Sequence, residues 1–164
     1  MNILSCRKKQ SAKRILYVAF VIYMVILIYF LLFSEGFGRT SHNESYRYNL
    51  VLFQEIKRFI TYYHILGMKS VLVNVVGNIV AFMPFGFFMP FIGKKRRGFI
   101  NVTLLSIELS LFIETVQLIT KVGSYDVDDL LLNSLGGVLG YVVYAICNQI
   151  VKRRAKSGIS EEER

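Results

Sequence analysis

The feature that most limits what this chain can fold into is the stretch Ile15 to Phe33, nineteen residues with no charge and no glycine. A run of about 20 apolar residues is what a helix needs to cross the hydrocarbon core of a bilayer. Three further blocks have nearly the same character. They are Val71 to Ile92, broken by Asn74, Asn78, Pro84 and Pro90; Phe99 to Ile119, carrying Glu108, Glu114 and Gln117; and about Leu130 to Val151, with Asn133, Gly136, Gly137 and Gly140. Charged residues make up 19% of the 164 and hydrophobic residues 54%, against roughly 25% charged in ordinary soluble domains. The expectation is an all-α membrane protein of four spans. Residues 1–14 form a basic tail, 15–33 the first span, 34–70 an outer loop, 71–151 a core of three spans, and 152–164 a second charged tail.

Basic residues in short loops stay on the cytoplasmic side, so their distribution sets the orientation. The N-terminal tail carries Arg7, Lys8, Lys9, Lys13 and Arg14. The turn after the second block carries Lys94 to Arg97, and the C-terminal tail carries Lys152, Arg153, Arg154, Lys156 and Arg164. These fourteen stand against six in the other two loops, which predicts both termini in the cytoplasm. The +9 net charge is then accounted for by attraction to anionic lipid at the cytoplasmic face, and nucleic acid is not needed to explain it. The apolar run after the basic tail is too long for a cleaved leader and lacks a small-residue cleavage site, so it reads as an uncleaved anchor.

With that orientation, scattered polar residues gather in one place. Asn74 and Asn78 fall at the start of the second span, Glu114 and Gln117 at the end of the third, and Asp129 and Asn133 at the start of the fourth. Each pair is spaced to share a helix face, and all lie in the outer half of the membrane. A charged residue at mid-span costs about 2.5 to 3.5 kcal/mol on insertion scales, and intramembrane acids mark functional interiors. Amides alone serve equally well as interhelical glue. Several acids are more than glue requires, although Asp126, Asp128 and Asp129 also suit the first turn of a helix. Glu108 is deeper and does not match Glu114 in helical phase, so it falls outside the cluster. Pro84 is expected to kink or break the second span, and Gly136 with Gly140 leaves a thin face for a neighbouring helix or partner subunit.

In the outer loop, Leu52 to Tyr63 alternates apolar and polar residues at the helical period, which predicts an amphipathic helix on the outer leaflet or packed on the bundle. The chain has no nucleophile elbow, zinc-protease motif or phosphate-cradling glycine loop. His42 and His64 are lone loop histidines, and the spacing of Cys6 and Cys147 suggests neither a metal nor a structural disulfide. No cofactor or metal is implied. Clustered carboxylates keep open an enzyme acting on lipid head groups, but no nucleophile and base stand out.

The segments NVVGNIVAFMPFGFFMP, ETVQ and DVDDLLLNSLGGVLGY, with RYNLVLFQEIKRF before them, resemble in order and spacing the signature of the VanZ-like family of bacterial membrane proteins. The likeness runs over about residues 47–146. It places the family's characteristic positions on Arg47, Asn49, Phe53, Asn78, Phe82, Pro84, Gly86, Glu114, Gln117, Asp126, Asp129, Asn133, Gly136 and Gly140. Leu52 stands where many members have proline, and Gly123 and Ser124 where many have an arginine. The second departure would leave Lys121 or Arg47 to balance the acids. The resemblance implies a cell-envelope role, since the founding member of the family lowers susceptibility to teicoplanin, a lipid-tailed glycopeptide. The combined expectation is a pocket open to the outer leaflet that binds a lipid-linked or lipid-tailed molecule. Arg47, Asn78, Glu114, Gln117, Asp126, Asp128, Asp129 and Asn133 would meet its polar head.

Overall fold

The structure, a computed structural model, describes residues 3–33, 46–92 and 98–162. The basic turn Lys94 to Arg97, His42 and the loop residues up to 45 lie outside the described residues. Helix α1 (Ile3–Phe33) leads into the loop, where a two-residue strand β1 (Tyr48–Asn49) precedes short helices α2 (Gln54–Thr61), α3 (Tyr63–Leu66) and α4 (Met68–Val71). The chain continues through a π-helical stretch, Leu72–Val76, into α5 (Gly77–Ile92). Helix α6 (Phe99–Thr120), strand β2 (Tyr125–Asp126) and the long α7 (Val127–Glu162) follow. Four helical segments are long and apolar enough to cross a membrane, namely Gln10–Leu32, Leu72–Ile92, Phe99–Thr120 and Val127–Arg154. The fold is that of a multi-pass α-helical membrane protein.

The helices alternate in direction. Aromatic contacts of Phe20 with Phe85 and Phe88 set α1 antiparallel to α5, while α5 and α7 run parallel and α6 packs antiparallel against α7. The closest packing is between α5 and α7, and it rests on glycine. A Cβ placed on Gly136 would lie 2.2 Å from the carbonyl oxygen of Ile79, one on Gly140 1.9 Å from that of Met83, and one on Gly86 1.8 Å from that of Gly137. Burying apolar side chains against one another gains little when the alternative is lipid, so close backbone approach and polar contacts decide how such helices pair. The thin face read as room for a neighbouring helix receives α5 of the same chain.

Helix α1 sits more loosely. Leu27 and Leu31 join Phe82 and Ile113 in the buried core, but most of α1 is exposed. The second span does not break at Pro84, because α5 runs through both prolines. The Tyr23 hydroxyl donates to the Ala81 carbonyl at 2.7 Å, in the turn before Pro84. That adds a partner for a backbone carbonyl where proline disturbs the helical ladder. The departure from α geometry comes earlier, at Leu72–Val76, and its wider turn rotates Asn74 away from simple i, i+4 register with Asn78.

Candidate functional site

The site is built from one stripe of α6. Ser106, Ser110, Glu114 and Gln117 recur at helical spacing and are all buried, each 1% exposed or less. Each meets a different neighbour. Ser106 lies against Gly137, where an added Cβ would come within 2.0 Å of its Oγ. Ser110 Oγ accepts from Asn133 Nδ2 at 3.0 Å, and Glu114 Oε2 accepts from the Asp126 backbone N–H at 2.9 Å. Gln117 Nε2 donates to the Leu31 carbonyl at 2.7 Å, satisfying one of the carbonyls left open at the end of α1. A single face of α6 thus ties together α1, α7 and the second loop.

The three aspartates divide the remaining work. Asp126 caps α7, since its Oδ1 accepts the N–H of Asp128 at 2.9 Å, the usual service of an aspartate at a helix start. The same oxygen accepts from Asn49 Nδ2 at 3.1 Å. This joins the capping residue to β1, which pairs in parallel with β2 through Tyr48 with Tyr125 and Asn49 with Asp126. Burial pushes the Asp126 carboxyl above its ordinary value. The Asp128 N–H and the Asn49 amide pull it down, and the neighbouring Asp128 and Glu55 carboxyls add to the rise.

Asp128 reaches across to the loop helix. Its Oδ1 accepts the N–H of Phe53, and its Oδ2 accepts those of Glu55 at 2.9 Å and Ile56 at 3.2 Å. These are donors that a helix leaves open at its first turn, where the dipole also favours an anion. The cap of α2 therefore comes from α7 rather than from α2's own sequence. Phe53, at the cap position, adopts a left-handed conformation with φ 64°, and the turn before α2 forms with Leu52 preceding it. Helix α2 accordingly starts at Gln54, later than the amphipathic pattern suggested. Asp129 accepts from Asn78 Nδ2, linking α7 to α5.

The residues expected at a site are thus brought together, all but one. Asn78, Glu114, Gln117, Asp126, Asp128 and Asn133 are buried and Asp129 half-buried, and they bind one another and backbone groups where an open pocket was expected. Arg47 stands on the surface, contributing its carbonyl to the Tyr125 N–H at 3.0 Å. Lys121 places its Nζ 4.8 Å from the centre of the Tyr46 ring. Asn49, Ser106 and Ser110 were not singled out as site residues from the sequence. The two serines were legible as the inward continuation of the Glu114 stripe. Among the described residues, no three His, Cys, Asp or Glu side chains are grouped to hold a metal ion.

An apolar groove adjoins the cluster. It lies between α1 and α5, has a volume of about 240 Å³, and is walled by Tyr23, Ile26, Leu27, Phe30, Val80, Ala81 and Pro84. Val80 and Ala81 lie two and three residues beyond Asn78 along α5, and the groove wall is apolar apart from Tyr23.

Comparison with known proteins agrees with the sequence signature. The family model described as VanZ/LLP1 matches residues 20–148. The protein VanZ of Enterococcus faecium is 30% identical over 81 residues, which is 49% of this chain and 50% of that protein. The match therefore spans about half the length of that relative. No solved structure matches the chain.

Proposed function

The chain belongs to the VanZ/LLP1 family, and from that membership we propose that it binds a lipid-tailed molecule of the bacterial cell envelope at the outer leaflet. The α1/α5 groove takes the tail, and the polar head lies at the loop end. The observation that carries the reading is the groove itself, an apolar cleft between two helices long and apolar enough to cross a membrane. Apolar clefts with a few convergent polar groups are the usual form of a ligand site.

In this reading the buried cluster has a positioning task. Gln117 holds the end of α1, Asp128 holds α2, and Asn78 with Asp129 holds the top of α5, so the groove mouth keeps its shape. Arg47, exposed at the loop end, meets a phosphate or carboxylate on the head. Such a protein would lower the effective concentration or alter the presentation of a lipid-tailed compound, which fits a role in tolerance to teicoplanin-type drugs.

The test uses a strain lacking the protein, supplied with wild type, Ala81→Phe or Arg47→Gln at matched membrane levels. Each is challenged with teicoplanin and with a glycopeptide that has no lipid tail. The expected result is protection by wild type against the tailed drug alone, lost with Ala81→Phe because the new ring fills the groove, and weakened with Arg47→Gln. Equal protection by wild type and Ala81→Phe would remove the groove from the mechanism.

A further inference from the structure

Of the two glutamates in α6, the buried cluster uses only Glu114. Glu108 lies on the exposed side of the helix, in the middle of a 22-residue span. At about 1.5 Å per residue it is about 13 Å along the axis from Phe99 and about 18 Å from Thr120, too far for its short side chain to reach either membrane surface. No described residue gives it a hydrogen bond or an ion partner. Acidic side chains at that depth face a bundle interior or a partner, because lipid tails offer neither charge nor donor.

Glu108 also belongs to a pattern. Asn101, Leu104, Glu108, Leu111 and Thr115 recur at alternating steps of three and four, and all are exposed. This is the a/d spacing of a helix-pairing seam, with Asn101, Glu108 and Thr115 at one position and the leucines at the other. The Thr115 hydroxyl is satisfied by the Leu111 carbonyl at 2.7 Å, whereas Asn101 and Glu108 have no partner among the described residues.

We propose that this face of α6 is the interface of a homodimer. Two copies inserted the same way would pair their α6 helices in parallel about a twofold axis normal to the membrane. In such a pair each residue at the polar position faces its own counterpart. Asn101 is self-complementary, because its amide both donates and accepts. Two facing Glu108 carboxyls are likewise self-complementary when one carries the proton, because a carboxylic acid donates as well as accepts.

The rest of the chain's surface argues for this self-pairing. The exposed residues near the same depth on α1 and α7, such as Val21, Ile22, Val25, Leu139 and Val142, are apolar. A head-to-side contact between copies would therefore offer Glu108 no donor among the described residues at that depth of α1 and α7, whereas the symmetric contact does.

The test is disulfide crosslinking in native membranes of the full chain, with Cys6 and Cys147 replaced by serine and single cysteines introduced. Leu104→Cys and Leu111→Cys are expected to give crosslinked dimers and Val142→Cys none. Adding Glu108→Leu to Leu111→Cys is expected to lower the crosslinked fraction about tenfold. Glu108→Gln, which keeps a donor and an acceptor, should retain it. Glu108 is exposed and has no hydrogen bond or ion partner among the described residues, so all variants should match the parent in membrane level and thermal midpoint. Absence of dimer at positions 104 and 111, crosslinking only to a different protein, or full crosslinking in Glu108→Leu would each overturn the proposal.

Discussion

The two seams of α5 are built on opposite plans. Toward α7 it packs on glycines, with Ile79 and Met83 carbonyls set where a Cβ of Gly136 or Gly140 would be. Toward α1 it packs on aromatic and branched side chains and leaves a groove of about 240 Å³. The first seam has no slack and the second has room. In a membrane, where lipid competes on equal terms for apolar surface, a void between helices is readily filled by an acyl chain, so in the proposed function the loose seam takes the lipid tail and the tight seam is its rigid backing.

The contrast can be broken most forcefully at the tight seam. Gly140→Leu drives a branched side chain into the Met83 carbonyl and the Phe87 N–H. The expected loss is about 3 kcal/mol or more, at the upper end of overpacking costs, read as a collapse of membrane level and thermal midpoint. At the loop end, Asp128→Ala leaves the N–H groups of Phe53, Glu55 and Ile56 without their shared acceptor. A loss of about 2 kcal/mol is expected, concentrated in α2 and visible as faster amide exchange of residues 53–56 with the four spans intact. Gln117→Leu removes only the bond to the Leu31 carbonyl. It should cost about 1 kcal/mol, measured by thermal unfolding in detergent, and should loosen α1 while leaving α5 and α7 in place.

The smallest effect is one of pH. The folded Asp126 carboxyl titrates above its ordinary value, so the folded state binds the proton more tightly than the unfolded chain. Its contribution to stability is full below the unfolded value and falls as pH rises through the folded one. Asp126→Asn keeps an oxygen to accept from the Asp128 N–H and the Asn49 amide. It should therefore flatten the pH dependence of α2 exchange in that window while leaving the fold intact.

Much of this was readable from the chain alone. The four spans follow from apolar blocks of about 20 residues, and the meeting of Asn78 with Asp129, or of α6 with the start of α7, follows once spans are laid side by side. What could not be read are contacts in which one partner is backbone. Asp128 looked like a cap for its own helix, yet it caps one 72 to 75 residues earlier, and backbone N–H groups leave no trace in residue type. The pairing of Tyr48 with Tyr125 escaped for the same reason, since two-residue strands have no period to detect. The inward-turned cluster escaped because acids and amides that bind one another have the same spacing as acids and amides that line an open pocket. The π-helical stretch at Leu72–Val76 was likewise hidden behind the more conspicuous Pro84.

The measurement that bears most directly on the contrast between the seams is photocrosslinking from inside the bilayer. A photoreactive phenylalanine analogue is placed at Ile26 in the groove or at Leu139 on the exposed face of α7, and the full chain in membranes is offered a radiolabelled lipid-tailed glycopeptide. The account predicts labelled adduct at Ile26, competed away by unlabelled tailed compound, with only uncompeted background at Leu139. Equal labelling at both positions, or labelling at Ile26 that excess compound does not reduce, would contradict it.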